Sequence, residues 1–182
     1  MGWREATPSD EVEAADWIGP RLLPFRDARI GSVIPTGFHA YVRIDPHVEF
    51  VDIARRHTTT PERCWFCLWE GYGYLHPGGI AYFFAWSADV PPSERITPPP
   101  PPIPKLRKSR VRLPGRNYHL FTGRVEEAAG WEDGPNLWWP DDHAWCVASE
   151  IDLDYTLVGG TQAMCQELVG VGATTVSPED RN

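Results

Sequence analysis

Apolar runs bounded by glycine and proline fill the middle of this chain and predict consecutive β-strands. Cys64–Trp69 is a continuous apolar run that stops at Gly71 and Gly73, which is typical of a buried strand. Aromatic and β-branched residues between prolines predict another strand over 37–44. Further strands are predicted over 80–86, 117–122, 144–153 and 156–158.

Helix signals lie near both ends of the chain. Thr7 reads as an N-cap, with Pro8 at the first helical position and Asp10 three residues after the cap, so a helix is predicted to begin here. Thr161 is predicted to cap a second helix that runs to Gly170. Residues 46–56 fit a short helix and a strand about equally well.

Central strands with helices near the two ends predict an α+β fold with a mostly antiparallel sheet. A chain of 182 residues is long enough to bury its own core, so we expect a single domain over residues 1–172. A proline-rich insertion at about 90–116 interrupts it, as a polyproline II rod or a mobile loop. Residues 173–182 are predicted to form a flexible tail.

Charge and composition narrow the function classes. The chain has 17 basic and 25 acidic residues, a net charge of −8, which argues against a nucleic-acid partner. Nine tryptophans, seven phenylalanines and six tyrosines argue against disorder. No apolar window has the length of a membrane span and no signal peptide is recognisable, so we expect a cytoplasmic protein, no membrane partner and reduced cysteines.

Two adjacent tryptophans mark the first candidate site. Trp138 and Trp139 are expected in a loop, from which two neighbouring rings cannot both point inward, so one is predicted to be exposed. Exposed tryptophan is typical of interaction hot spots. The alternative, in which both rings cover a loose core edge, stays open. The candidate binding residues are Trp138, Trp139, Trp131 and Asn136.

Three acidic residues form the second candidate site. Glu150, Asp152 and Asp154 alternate with apolar residues, and a strand would place their carboxylates on one face. Together with His143 they are a candidate divalent-metal site or acid/base centre. We favour the simpler interpretation that they line the solvent face of a strand, and we therefore expect no metal and no cofactor.

Cys64 and Cys67 form a single CxxC motif. Redox or zinc chemistry needs both thiols on one side of the backbone, whereas residues i and i+3 of a strand face opposite sides. We favour two buried core cysteines that behave as small hydrophobic residues.

Six basic residues lie between Lys105 and Arg116. Such a run can bind a phosphate, an RNA or an acidic partner. It can also be a solvated loop that keeps an edge strand from pairing, which is the interpretation we favour.

Four segments carry a resemblance to other proteins: residues 33–41, 69–73, 135–152 and 158–160. In these segments the chain resembles a set of uncharacterised proteins from high-GC Gram-positive bacteria. Those proteins have no assigned activity, so the resemblance implies a family and no catalytic residue. The order of elements is also similar to that of bacterial immunity proteins of the SMI1/KNR4 type, an analogy of architecture alone.

The leading hypothesis is a non-catalytic binding or interaction module that presents Trp138 and Trp139 to a protein partner. The alternative is a metal-dependent or acid/base enzyme that uses the three carboxylates with His143. A third hypothesis is an immunity-protein-like partner binder. An enzyme requires the acids to converge in a concave pocket, whereas a module requires an exposed apolar patch.

Overall fold

A computed structural model of the chain describes residues 6–45, 48–75, 106–131 and 134–182. The strand predicted over 80–86 and most of the proline-rich insertion lie outside the described residues. The strands are β1 (Thr7–Ser9), β2 (Ala40–Ile44), β3 (Cys64–Trp69), β4 (Val111–Leu113), β5 (Arg116–Gly123), β6 (Leu137–Pro140), β7 (Cys146–Ser149), β8 (Thr156–Gly160) and β9 (Thr174–Val176). The α-helices are α1 (Val51–Arg56) and α2 (Gln162–Gly170).

All nine strands of the described residues belong to one sheet. The order is β1-β5-β3-β6-β7-β8-β2-β9, with β4 also paired to β5, and every pair is antiparallel. The predicted mostly antiparallel sheet is therefore confirmed, and helices accompany it, but α1 does not lie near an end of the chain. In the central strand β3, Phe66 lies opposite Phe121 of β5 and Trp138 of β6.

Both faces of the sheet are covered. Helices α1 and α2 and the 3-10 turn Val125–Gly130 pack on one face, where Phe66 contributes to the hydrophobic core. The 3-10 turns of the N-terminal segment pack on the other face, where Trp65 contributes to a second core. Because successive strand residues point to opposite faces, this arrangement buries neighbouring residues of the same strand.

The predicted N-terminal α-helix is wrong. Thr7–Ser9 is strand β1, paired with Leu120 to Thr122 of β5, and the 3-10 turn Val12–Ala15 stands where the sequence predicts the helix to continue. Pro8 is tolerated because β1 lies at the edge of the sheet. Pairing with β5 gives the backbone N–H and C=O groups of this segment hydrogen-bond partners, which the first turn of a helix lacks. The tertiary contacts therefore override the local signals of a helix cap.

The helix predicted after Thr161 is confirmed as α2. The Thr161 hydroxyl accepts a hydrogen bond from the Met164 amide at 3.2 Å, the geometry of an N-cap. Residues 51–56, which the sequence leaves open between helix and strand, form α1. Within the described ranges, no helix has the length and apolarity that a membrane crossing requires.

The C-terminal segment differs from the predicted flexible tail. Strand β9 pairs with β2, and the chain then turns towards the N-terminal layer. The Ile30 amide donates to the carbonyl of Asp180 at 2.9 Å, and the Gly31 amide donates to that of Pro178 at 2.8 Å. Residues after 172 thus carry a strand and fasten the layer that covers one face.

The N-cap of α2 gives a testable prediction. Thr161→Ala leaves the Met164 amide without its side-chain acceptor, so we expect a loss of about 1 kcal/mol in the free energy of unfolding, measured by urea denaturation. Gln166→Ala, an exposed change in the same helix, is the matched control and should cost close to nothing. Equal effects of the two changes would contradict the capping role.

Candidate functional site

The two adjacent tryptophans are both buried, so the predicted exposed ring is wrong. They lie in strand β6 rather than in a loop, and the exposed fraction is 3% for Trp138 and 0% for Trp139. Trp138 joins the core under the helices and Trp139 the core under the N-terminal segment. Two neighbouring rings can both be buried because the sheet is covered on both sides.

Asn136, a predicted binding residue, acts as a buried structural clamp. Its side-chain oxygen accepts from the Trp69 amide at 2.8 Å, and its side-chain nitrogen donates to the Tyr72 hydroxyl and to the Ser149 carbonyl. The clamp joins the ends of β3 and β7 and leaves no side-chain group free for a ligand. Trp131, the fourth predicted residue, is also buried and packs on Phe121.

The acidic residues do not share the face of a strand. Strand β7 ends at Ser149, and the following residues form a turn closed by a hydrogen bond from the Leu153 amide to the Glu150 carbonyl. The Asp152 side chain is exposed and that of Glu150 is buried, although both carboxylates face the Arg116 guanidinium. The period-two pattern misleads here because charged and apolar residues also alternate in a tight turn.

His143 lies away from this turn, in the connection between β6 and β7, with its ring stacked on Trp17. Its φ of 54° places it in the left-handed region. In the parts of the chain that the structure describes, no three His, Cys, Asp or Glu side chains come together as metal ligands. The proposed cluster of His143 with the three carboxylates is therefore not formed.

The CxxC cysteines lie on opposite sides of the sheet, as the strand geometry predicts. Cys64 belongs to the core under the helices and Cys67 to the core under the N-terminal segment, and both are free and buried. Burial raises the pKa of the Cys64 thiol to about 12 and raises the pKa of Cys67 further. Both residues are neutral core thiols without the geometry of a redox or zinc pair.

The basic run is partly tied to the fold. Arg107 donates to the Pro8 carbonyl, and Arg110 donates to Glu70 and to nearby carbonyls. Arg116 is largely buried. In the described residues these three arginines hold neighbouring segments together, so the favoured interpretation as a solvated loop does not apply to them.

The structure assembles a cleft of mixed apolar and polar surface that the sequence does not reveal. It has a volume of about 480 Å³ and lies between residues 48–51, before and in α1, and the segment around the 3-10 turn Val125–Gly130. Its floor lies over Trp138 and Val147, which are 3% and 0% exposed, and Phe50 and Trp131 also belong to its lining. Clefts that bind small molecules have this size and combine apolar and aromatic side chains with a few polar groups.

Polar groups gather where the cleft reaches the ends of β7 and β8. Ser149 and Thr156 line this end, and their hydroxyl oxygens are 3.0 Å apart, within hydrogen-bonding distance. Glu49 and Glu150 also belong to the lining. An apolar floor with a few polar groups at one end is the arrangement that orients a bound ligand.

A buried ion pair supports the wall at Glu150. The Glu150 carboxylate has an exposed side-chain fraction of 8% and lies 2.5 Å from Arg116 Nη1, a contact of opposite charges that is not aligned as a hydrogen bond. The Tyr118 hydroxyl donates to Glu150 Oε1 at 3.4 Å, and the Arg116 guanidinium stacks on the Trp69 ring. Burial raises the pKa of Glu150, an effect that Arg116 and Tyr118 only partly offset.

Two of the four predicted binding residues, Trp131 and Trp138, line the cleft, whereas Trp139 and Asn136 do not. Sequence reasoning missed Phe50, which falls in the segment left open between helix and strand. It also missed Ser149 and Thr156. Their only signal in the sequence is that each is a polar residue beside the turn that joins two apolar strands.

Comparisons of this chain with protein-family models, with curated proteins and with solved structures find no match. The resemblance drawn from the sequence stays a prediction, and the cleft carries the argument about function.

Thiol reactivity tests the burial of the cysteines. We expect a thiol-reactive disulfide reagent to label neither Cys64 nor Cys67 in the folded protein near neutral pH, because both thiols are buried and protonated. All four cysteines should react after unfolding in denaturant. Rapid labelling of either residue in the native protein, located by mass spectrometry, would contradict this assignment.

The raised pKa of Glu150 predicts a pH-dependent stability. In the folded protein the pKa of Glu150 lies above its ordinary value of 4.5. The folded state therefore binds the proton more tightly than the unfolded chain does, and this stabilises the fold. The stabilisation is complete below pH 4.5 and is lost as the pH rises through the pKa of the folded state. Glu150→Gln cannot ionise, so its free energy of unfolding relative to wild type should increase from about pH 4 to about pH 8.

Asp154→Asn, an exposed change near the same turn, is the control and should show no such trend. A Glu150→Gln difference that is flat or decreases with pH would mean that ionisation of Glu150 is not opposed by burial.

Proposed function

We propose that this chain is a non-catalytic binding domain and that its ligand is a small molecule with an apolar body, held in the cleft on Trp138 and Trp131. The observation that carries this proposal is the cleft itself, a concave site of about 480 Å³ whose aromatic floor is continuous with the core. A rigid floor of this kind lets a ligand bury apolar surface with little ordering of the protein.

The surroundings of the floor support a preformed site. The Trp138 ring packs against Phe50 at 6.0 Å, against Phe66 at 6.2 Å and against Trp145 at 4.9 Å between ring centroids. The Trp145 indole donates to the Ala54 carbonyl of α1 at 2.9 Å. These contacts fix the helix against the floor, so the cleft keeps its shape without a ligand.

The exposed apolar side chains favour the cleft over a flat interaction surface. In the described residues the exposed large hydrophobic side chains are Phe25, Ile151, Val169 and Val171. They belong to three separate elements, the N-terminal layer, the β7–β8 turn and the end of α2, and none is a tryptophan. Singly exposed apolar residues are ordinary on protein surfaces and do not indicate a docking patch.

The proposal includes a cytosolic location. Four free and buried cysteines favour a reducing compartment, because an oxidising compartment selects for paired cysteines.

A second candidate function is an acid/base enzyme that uses Glu150. A buried carboxyl group with a raised pKa on the wall of a cleft favours it. The ion pair with Arg116 argues for a structural role instead, because a general acid must be free to reach the ligand. If the enzyme hypothesis holds, Glu150→Gln abolishes conversion of the ligand while the ligand still binds.

The indole N–H signals of the nine tryptophans test the binding proposal by nitrogen–proton correlation spectroscopy. Titration with 2-phenylethanol, a neutral probe with an apolar body, should shift the signals of Trp131 and Trp138. The signals of Trp65 and Trp139 should stay in place, because these rings lie on the opposite face of the sheet. Shifts of these two signals alone would contradict binding in the cleft.

A blocking variant locates the probe. Ala129 is exposed and lines the cleft, so Ala129→Trp should place a ring across the opening without disturbing the core, and should weaken probe binding by about tenfold or more. Ala129→Ser is the matched control and should bind as the wild type does. Unchanged binding by Ala129→Trp would place the probe elsewhere and reject the proposed function.

A further inference from the structure

We propose that the ligand of the cleft is an organic cation, an apolar body that bears an ammonium group, an inference that rests on the proposed function. The geometry points to this class through the charges that line the cleft and the aromatic rings beside them.

The charged groups of the lining are all acidic. Glu49 and Glu150 line the cleft, and no Lys, Arg or His side chain does so in the described ranges. A carboxylate or phosphate ligand would therefore be repelled by negative charges in the lining and would find no cationic side chain there to pair with. The chain as a whole, at −8, attracts cations as well.

The arginines behind the walls do not reverse this balance. Arg116 faces Glu150 and Asp152 and stacks on Trp69. Arg43 lies over the ring of Tyr155, 5.7 Å from its centroid. Arg116 is paired with carboxylates and Arg43 lies on a ring, and neither arginine itself lines the cleft, so neither offers a binding site for an anion there.

Glu49 is the carboxylate that remains available to a ligand. It is exposed, it makes no ion pair within the described part of the chain, and it directly precedes Phe50 of the cleft wall. The Phe50 ring packs on Trp138, with ring centroids 6.0 Å apart. The Glu49 carboxylate attracts an ammonium group by charge, and the partly exposed Phe50 ring beside it adds a cation–π contact.

The hydroxyl groups at the end of the cleft add acceptors. Ser149 and Thr156 share one hydrogen bond between their hydroxyl oxygens, which leaves further lone pairs on both atoms. An ammonium group has three donors and no acceptor, so it matches a lining of carboxylate and hydroxyl oxygens. A neutral alcohol matches the same oxygens with a single donor.

Three probes of similar size and different charge test this inference. They are 2-phenylethylamine, which is a cation at neutral pH, 2-phenylethanol, which is neutral, and phenylacetate, which is an anion. Dissociation constants come from the shifts of the Trp131 and Trp138 indole signals. We expect the amine to bind about fivefold tighter than the alcohol, because one partly exposed contact between opposite charges contributes a factor of this size. Phenylacetate should bind weakest of the three.

The variant Glu49→Gln should reduce the amine-to-alcohol ratio towards one, because it removes the carboxylate and keeps the size of the side chain. Glu13→Gln is the matched control, since it makes the same change of net charge at an exposed site in the N-terminal layer, and it should keep the wild-type ratio. Raising the salt concentration should lower the wild-type ratio, because Glu49 is exposed to solvent.

The outcomes separate this inference from the proposed function. If no probe shifts the cleft signals, the proposed function and this inference both fail. If the alcohol binds as tightly as the amine, or phenylacetate binds tightest, the cleft is a binding site and the inference of a cation is overturned. A ratio that Glu13→Gln lowers as much as Glu49→Gln would reflect net charge alone and would also overturn it.

Discussion

The structure depends on a sheet that is covered on both faces. Strands β3 and β6 lie at its centre, and their side chains alternate between two cores, so Trp65 and Phe66 are both buried, as are Trp138 and Trp139. The aromatic residues of the strands are therefore divided between two interiors. The cleft exists where the cover of one face, between α1 and the turn before Trp131, is incomplete.

The turn between β7 and β8 links this architecture to the candidate site. Arg116, at the start of β5, reaches the Glu150 side chain in that turn, and Asn136 joins the end of β7 to the end of β3. Breaking a buried ion pair by removing one partner leaves an uncompensated charge. The polar end of the cleft therefore depends on residues from strands that are not its neighbours in sequence.

The sequence predicts the elements that depend on local signals. The apolar run of β3 and the threonine cap of α2 have the same bounds in the structure to within a residue or two. It does not predict β1, because strand pairing with β5 decides that segment, nor the burial of both Trp138 and Trp139, because a linear pattern does not show how many layers cover a sheet. The cleft joins segments far apart in the chain, and no local period encodes such a juxtaposition.

The close pair of rings under the cleft has an optical consequence. The indoles of Trp138 and Trp145 lie 4.9 Å apart at an interplanar angle of 78°, in a rigid and chiral environment. Transitions of two indoles at this separation couple, and fixed aromatic packing is the source of near-ultraviolet circular dichroism. The indole pair is thus an intrinsic chromophore beside the cleft. A molecule that binds there would change the near-ultraviolet ellipticity of the protein without any added label.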